Sequence, residues 1–175
     1  MKEEIDFLKE HVRDIPDFPK EGIIFKDITP LLKHPKALQV ATDIMADRYL
    51  DKKIDLVVGV EARGFIMAPT IAYKLNAGFA MVRKPGKLPY KTFSASYELE
   101  YGTDSLEIHQ DAITPGQRVL VVDDVLATGG TANAVAGLIN ILGGELVEST
   151  FLIELDFLKG RQKLNGVEIF SLLHY

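Results

Sequence analysis

Residues Val119 to Thr131 read VLVVDDVLATGGT, and this stretch decides how the chain is read. Val119, Leu120, Val121 and Val122 form a short apolar run, mostly β-branched, of the kind that a buried parallel strand requires. Two acids, Asp123 and Asp124, end the run in this reading. A turn follows, Leu126-Ala127-Thr128-Gly129-Gly130-Thr131, with two adjacent glycines and two hydroxyls. From Ala132 to Leu142 the apolar residues Val135, Leu138, Ile139 and Leu142 fall at helical spacing, closed by Gly143-Gly144. The pattern predicts strand, glycine turn, helix.

A turn of this kind directs main-chain N–H groups, unscreened by side chains at Gly129 and Gly130, toward the positive end of a helix, where a phosphate is favoured. Asp123 and Asp124 repel the same phosphate, so their natural partners are hydroxyls or a divalent cation. A phosphate beside a diol suggests a ribose 5-phosphate. The plainer alternative is that Asp124 and Thr131 only cap a turn and a helix. The stretch is not a P-loop, since no lysine follows the glycines, and it lacks G-x-G-x-x-G.

Composition bounds the rest. The 175 residues suit one domain, 1–175, and 47% hydrophobic content supplies a core. A net charge of −5 gives no global attraction for nucleic acid or an anionic membrane, so an anion site must be a local cluster. The absence of cysteine removes disulfides and thiol chemistry and is compatible with a reducing compartment. The opening MKEEIDFLKEHV lacks the apolar core of a signal peptide, and no apolar run approaches the ~20 residues of a membrane helix. A cytoplasmic protein is expected.

Along the chain, Ile5, Leu8 and Val12 predict an amphipathic helix over 3–12. Residues 19–32 mix turn formers with the apolar triplet Ile23-Ile24-Phe25, which could plug the core or line a pocket. Helical spacing covers 37–49. Ile54 to Val60 predicts a second buried strand, leading through Glu61-Ala62-Arg63-Gly64 into a helix over 65–75. Two such strand-loop-helix units argue for a parallel sheet covered by helices, with ligands at the carboxyl ends of its strands. Arg63 lies at such an end and suits an anion, or it pairs with Glu61 at the surface. Phe79 to Val82 predicts a third strand, ending in Arg83-Lys84-Pro85-Gly86-Lys87, which is either a solvated loop or a polyphosphate neutraliser. Loose alternation over 92–100 and 105–110 around Tyr101-Gly102-Thr103-Asp104 predicts a β-hairpin with a polar tip, a form suited to a lid. Strands over 147–154 and 167–173, with a turn or short helix between, complete the pattern. The four histidines show no ligand spacing.

VVDDVLATGGT resembles the phosphoribosyl pyrophosphate (PRPP) signature of the type I phosphoribosyltransferases. Further blocks resemble the branch of that family that takes adenine: FPKEGIIFKDITPLL (Phe18 to Leu32), GVEARGF (Gly59 to Phe65), RKPGKLP (Arg83 to Pro89), SYELEYGTDSLEIHQDAITPGQRV (Ser96 to Val119) and the terminal FSLLHY. The resemblance implies an α/β fold with a mostly parallel twisted sheet flanked by helices, a small hood mainly from 16–32, and a hairpin lid at about 92–110. It implies the conversion of adenine and PRPP to AMP and diphosphate, a purine salvage reaction.

By the same resemblance the residues take roles. Ala127, Thr128, Gly129, Gly130 and Thr131 hold the 5-phosphate, and Asp123 and Asp124 the ribose hydroxyls. Arg63, Arg83, Lys84 and Lys87 hold diphosphate, with a non-proline cis peptide at Glu61-Ala62. Main-chain groups of Ile24 and Lys26, with Phe25 and Leu126, meet adenine. Glu100 and Arg63 are the catalytic residues, with Glu100 as the acid at purine N7, and Tyr101 closes the lid. Mg²⁺ is implied as cofactor, bound mainly through PRPP and water near Asp123 and Asp124, with no dedicated protein ligand. The residue matching Arg83 acts across a dimer interface, which implies a homodimer. The alternatives are transfer to another base (xanthine, guanine or orotate) or a non-catalytic PRPP-binding regulator. A regulator of that kind needs a nucleic-acid surface, whereas residues 1–50 carry eight Lys/Arg and ten Asp/Glu.

Overall fold

The amphipathic start of the chain folds as helix α1 (Lys2–Lys9) in the computed structural model, which describes residues 1–98 and 103–175. It belongs to the first of two compact units, Met1–Ile44 and Met45–Tyr175. In that first unit β1 (Arg13–Pro16) pairs antiparallel with β2 (Ile24–Asp27), followed by α2 (Thr29–Lys33) and the start of α3 (Pro35–Asp47). The ribbon is closed by ion pairs, Arg13 to Asp27 and Lys26 to Asp14 at 2.6 Å. Phe7, His11 and His34 pack ring on ring at 4.4–5.7 Å, so two of the four histidines serve packing.

The second unit contains β3 (Leu56–Val60), α4 (Gly64–Leu75), β4 (Gly78–Val82), the antiparallel pair β5 (Thr92–Glu98) and β6 (Thr103–His109), then β7 (Arg118–Leu126) and α5 (Gly130–Ile141). Strand β8 (Glu145–Glu154), two 3₁₀ turns (Asp156–Leu158 and Gly160–Lys163) and β9 (Ile169–His174) finish it. The central sheet has the order β4-β3-β7-β8-β9, and every neighbouring pair is parallel. This is an α/β sheet covered by helices, as the two strand-loop-helix patterns predict.

Strand order places the ligand crevice. From β3 the chain steps outward to β4, then returns to β7 on the other side of β3 and continues away through β8 and β9. Right-handed crossovers that step in opposite directions lay their helices on opposite faces, and the crevice opens at the carboxyl ends of the two strands at the reversal. The side chains agree. Leu56, Val58 and Val60 of β3 share a core with Val135, Leu138 and Ile139 of α5, whereas Gly59 points the other way, toward Ala68 of α4. Each fully buried Val, Leu or Ile contributes about 1.5–3 kcal/mol.

Near the glycine turn two boundaries differ from the expectation. Asp123 and Asp124 do not end β7, which continues to Leu126. The reason is the length of β8, which still supplies partners beyond the acids, Phe151 opposite Asp123 and Glu154 opposite Leu126. Helix α5 accordingly begins at Gly130, within the glycine turn.

Gly59 gives a direct test of the α4 face. A β-carbon there would stand 2.9 Å from Ala68 Cβ and 2.8 Å from the Phe79 ring. Gly59→Val should therefore cost about 1–3 kcal/mol through overpacking, read as a lower denaturation midpoint in urea; an unchanged midpoint would contradict this packing.

Candidate active site

The carboxyl ends of β3 and β7 carry the residues that the sequence singles out. After β3 the chain turns through a cis Glu61-Ala62 peptide, at the position the family resemblance implies, and enters α4 at Gly64. A β-carbon on Gly64 would lie 2.8 Å from the Val122 carbonyl oxygen and 3.0 Å from Asp123 Oδ1. Only glycine lets this loop settle against β7, and the approach sets Arg63 beside the acids. Arg63 donates from Nε to Asp124 Oδ2, so its acidic partner is Asp124 across the switch point.

Asp123 and Asp124 are both buried. Loss of water, and next the neighbouring Asp124 carboxylate, hold the Asp123 carboxyl well above the usual carboxylate range. Its Oδ1 accepts the Asp124 amide at 2.9 Å. Just beyond lies a small cavity of about 60 Å³ lined by Asp123, by the turn from Ala127 to Thr131, and by Phe151. That is room for about two waters, a volume suited to one small anion. It sits at the amino end of α5, where main-chain donors and the helix dipole converge. Gly129 holds φ of 80°, a left-handed conformation that favours glycine.

The basic loop is organised by carboxylates. Glu61 accepts Arg83 Nε and Nη2 at 3.2 and 3.3 Å and the Lys84 amide at 2.9 Å. Burial raises the Glu61 carboxyl, but the Lys84 amide and the Arg83 guanidinium outweigh it and leave the group below its usual range. Lys84 pairs with Asp104 on β6, and the main chains of Arg83 and Glu107 exchange hydrogen bonds of 2.9 and 2.7 Å. Lys87 is exposed. The loop after β4 and the hairpin thus form one connected surface. Sequence alone gave no signal for these partners, because Glu61 follows β3 while Asp104 and Glu107 belong to β6, both remote in the chain from the loop they hold.

The other expected residues fall as follows. Ile23 and Ile24 are exposed, which sets aside the core-plug alternative for that triplet. Ile24 and Lys26, two residues apart on β2, present their main-chain groups to the same side, and the Phe25 ring meets Phe18 edge-on at 5.3 Å. Leu126, expected at the base, is buried with Ala132, Phe151 and Leu164 and borders the small cavity beyond Asp123. Glu100 and Tyr101 lie outside the described residues. His174 lies near Glu154 and Asp156, a grouping that spacing in the sequence conceals, but Arg161 already occupies both Glu154 oxygens.

A magnesium ion fits the donor set at β7 only in part-share. Asp123 and Asp124 are two hard oxygen donors, and among the described residues neither belongs to a cluster of three potential ligands. Mg²⁺ characteristically takes one or two carboxylates and draws its remaining ligands from phosphate oxygens and water.

Comparison with known proteins agrees with this arrangement. The phosphoribosyl transferase domain model matches residues 27–167. An adenine phosphoribosyltransferase of Geobacter metallireducens is 62% identical over 98% of this chain and 100% of its own. The crystal structure of an adenine phosphoribosyltransferase from Thermoanaerobacter pseudethanolicus is 54% identical, with a TM-score of 0.95 over 98% of this chain and 99% of that one. That of the Saccharomyces cerevisiae enzyme, complexed with an imino-altritol bisphosphate and adenine, is 44% identical, with a TM-score of 0.93 over 99% and 100% of the two chains.

The Lys84 to Asp104 pair carries a pH signature. The hydrogen bond from Lys84, and next that from the Ser105 amide, hold the Asp104 carboxyl below its usual range. A carboxyl depressed by folding adds stability above its unfolded pKa and loses it as pH falls through the folded value. Because the Lys84 side chain is 48% exposed, the pair is worth at most about 1 kcal/mol. Lys84→Met should raise the Asp104 titration midpoint in carbon-detected NMR, and its stability deficit at neutral pH should vanish at pH values below the ordinary carboxylate range. An Asp104 midpoint that does not move would exclude the pair.

Proposed function

We propose that this chain, which belongs to the phosphoribosyltransferase family, transfers the 5-phosphoribosyl group of PRPP to adenine, releasing diphosphate and forming AMP. The observation that carries the proposal is the meeting of Arg63, Asp123, Asp124 and an anion-sized cavity at the reversal between β3 and β7. The choice of adenine is supported by the names of relatives that match almost the full chain.

In this reading the main chain of Ala127 to Thr131 grips the 5-phosphate and fixes the anomeric carbon against the base. Asp123 and Asp124 accept hydrogen bonds from the ribose hydroxyls. As the bond to diphosphate lengthens, positive charge grows on the sugar ring, as in glycoside cleavage. The buried carboxylates stabilise that charge from a site poor in water. Arg63, Arg83, Lys84 and Lys87 receive the departing diphosphate. Diphosphate competes with Asp124, Glu61 and Asp104 for these cations, a trade of carboxylate for a more highly charged anion. Glu100 shares a proton at N7 while N9 attacks, Tyr101 closes over the substrates, and the main chain at Ile24 and Lys26, beside Phe25, meets the adenine edge. Asp123 and Asp124 would hold a Mg²⁺ ion in part, and when bound it would supply positive charge toward the leaving group.

The enzyme works as a homodimer in the cytoplasm in this proposal. Support for pairing comes from the exposed apolar side chains of Ile66 and Tyr73, seven residues apart on α4, and of Phe79 and Met81 on the edge strand β4. Tyr73 is 88% exposed, and aromatic and methionine side chains are enriched at such contacts. Among the described residues no helix is long and apolar enough to cross a membrane.

Incubation with PRPP, Mg²⁺ and each of adenine, guanine, xanthine and orotate tests the reaction. AMP should form from adenine, and product from another base with adenine inert would overturn the assignment. Glu100→Ala should lower kcat by about 10²–10⁴ with PRPP binding retained; unchanged turnover would remove Glu100 from the mechanism. Sedimentation should give twice the mass of one chain, with Tyr73→Glu shifting it toward the single-chain value.

A further inference from the structure

The segment after β8 contributes no group to the proposed reaction, yet it meets the phosphate turn main chain to main chain. Gly160 opens the second 3₁₀ turn and is buried, while Lys159 and Arg161 on either side are exposed. A β-carbon on Gly160 would collide with the Ala127 carbonyl oxygen and stand 3.1 Å from the Gly129 nitrogen. The reverse also holds, since a β-carbon on Gly129 would collide with the Gly160 carbonyl oxygen and stand 3.3 Å from its Cα. Side chains on either residue would force the two stretches apart. The glycine requirement at 129 therefore arises at least in part from Gly160 behind the turn, in addition to any ligand in front of it.

The turn that carries Gly160 is anchored independently. Arg161 donates from Nε and Nη2 to the Glu154 carboxylate at 2.7–2.9 Å. Its Nη1 reaches the Ile169 carbonyl oxygen at 3.0 Å and its Nη2 the Ser171 hydroxyl at 3.4 Å. Glu154 is buried at the end of β8, and Ile169 and Ser171 belong to β9. One guanidinium thus ties the turn to two strands of the central sheet. A planar fork of fixed donors suits this task in a way that lysine does not. At the far end Leu164 packs with Leu126, Ala132 and Phe151, beneath the phosphate turn.

We propose that Gly160, held in place by Arg161, is a positioning residue for the 5-phosphate site. It sets the height of the Ala127 to Gly129 main chain and so the aim of its amides. This inference rests on the proposed function, since it presumes that the turn binds a sugar phosphate. Amide direction matters because a displacement of about 1 Å in a preorganised site costs up to about 10²-fold.

The test is calorimetric titration of the full-length protein with ribose 5-phosphate and, separately, with diphosphate and Mg²⁺. In Gly160→Ala the dissociation constant for ribose 5-phosphate should rise about tenfold or more, while that for diphosphate stays at the wild-type value. KM for PRPP should rise more than KM for adenine. A purely structural loosening would weaken both probes alike, and that result, or unchanged ribose 5-phosphate affinity, would overturn the proposal. Should Gly160→Ala fail to fold, Arg161→Lys decides: a ribose 5-phosphate loss of about threefold with diphosphate unaffected supports the role, and equal affinities overturn it. Wild-type protein that bound neither probe would instead overturn the proposed function, and this inference with it.

Discussion

The parallel ladder between β3 and β7 is the constraint on which the rest depends. It sets Leu56 to Gly59 beside Val119 to Val122, two runs separated in sequence by a helix, an edge strand and a hairpin. Parallel pairing forces both strands to end at the same edge of the sheet. The loop with Arg63 and the acids with the glycine turn therefore emerge together, and the reversal of strand order opens a crevice between them. Gly64, with Val122 and Asp123 almost in contact, shows how little clearance the arrangement leaves.

Electrostatics at this crevice is one of paired opposites. Arg63 lies on Asp124, Arg83 on Glu61, Lys84 on Asp104. In a chain of net charge −5, such local pairs gather cations along these loops although the chain as a whole is acidic. Asp123 differs, since burial and its acidic neighbour keep its carboxyl high. A group of this kind gains most from a partner that donates hydrogen bonds or brings positive charge, which describes ribose hydroxyls and an electron-poor sugar ring.

Much of the fold was legible in the residues. The apolar runs at 54–60 and 119–122 and the helical spacing after each announce a parallel α/β sheet, because burial on both faces of a strand demands continuous apolar sequence. The glycine turn, Arg63 and the basic loop were legible only as anion-binding candidates, each with a plainer surface or capping role beside it, because residue type and strand-end position do not reveal what a side chain meets. The misjudged end of β7 shows the limit. Acids ordinarily stop a buried strand, and only the ten-residue partner β8 carries this one past them. The continued strand also carries Leu126 to the border between the core and the small cavity.

By itself the sequence determined the class of fold, the order of strand, turn and helix, and the place of a candidate anion site at the glycine turn, because these follow from local periodicity and from which residue types tolerate which backbone. Tertiary structure alone decided the partners: Asp124 for Arg63, Glu61 for Arg83, and the Gly160 main chain against Gly129. Such contacts join residues far apart in the chain, and their specificity lies in distances of a few ångströms that no local pattern encodes.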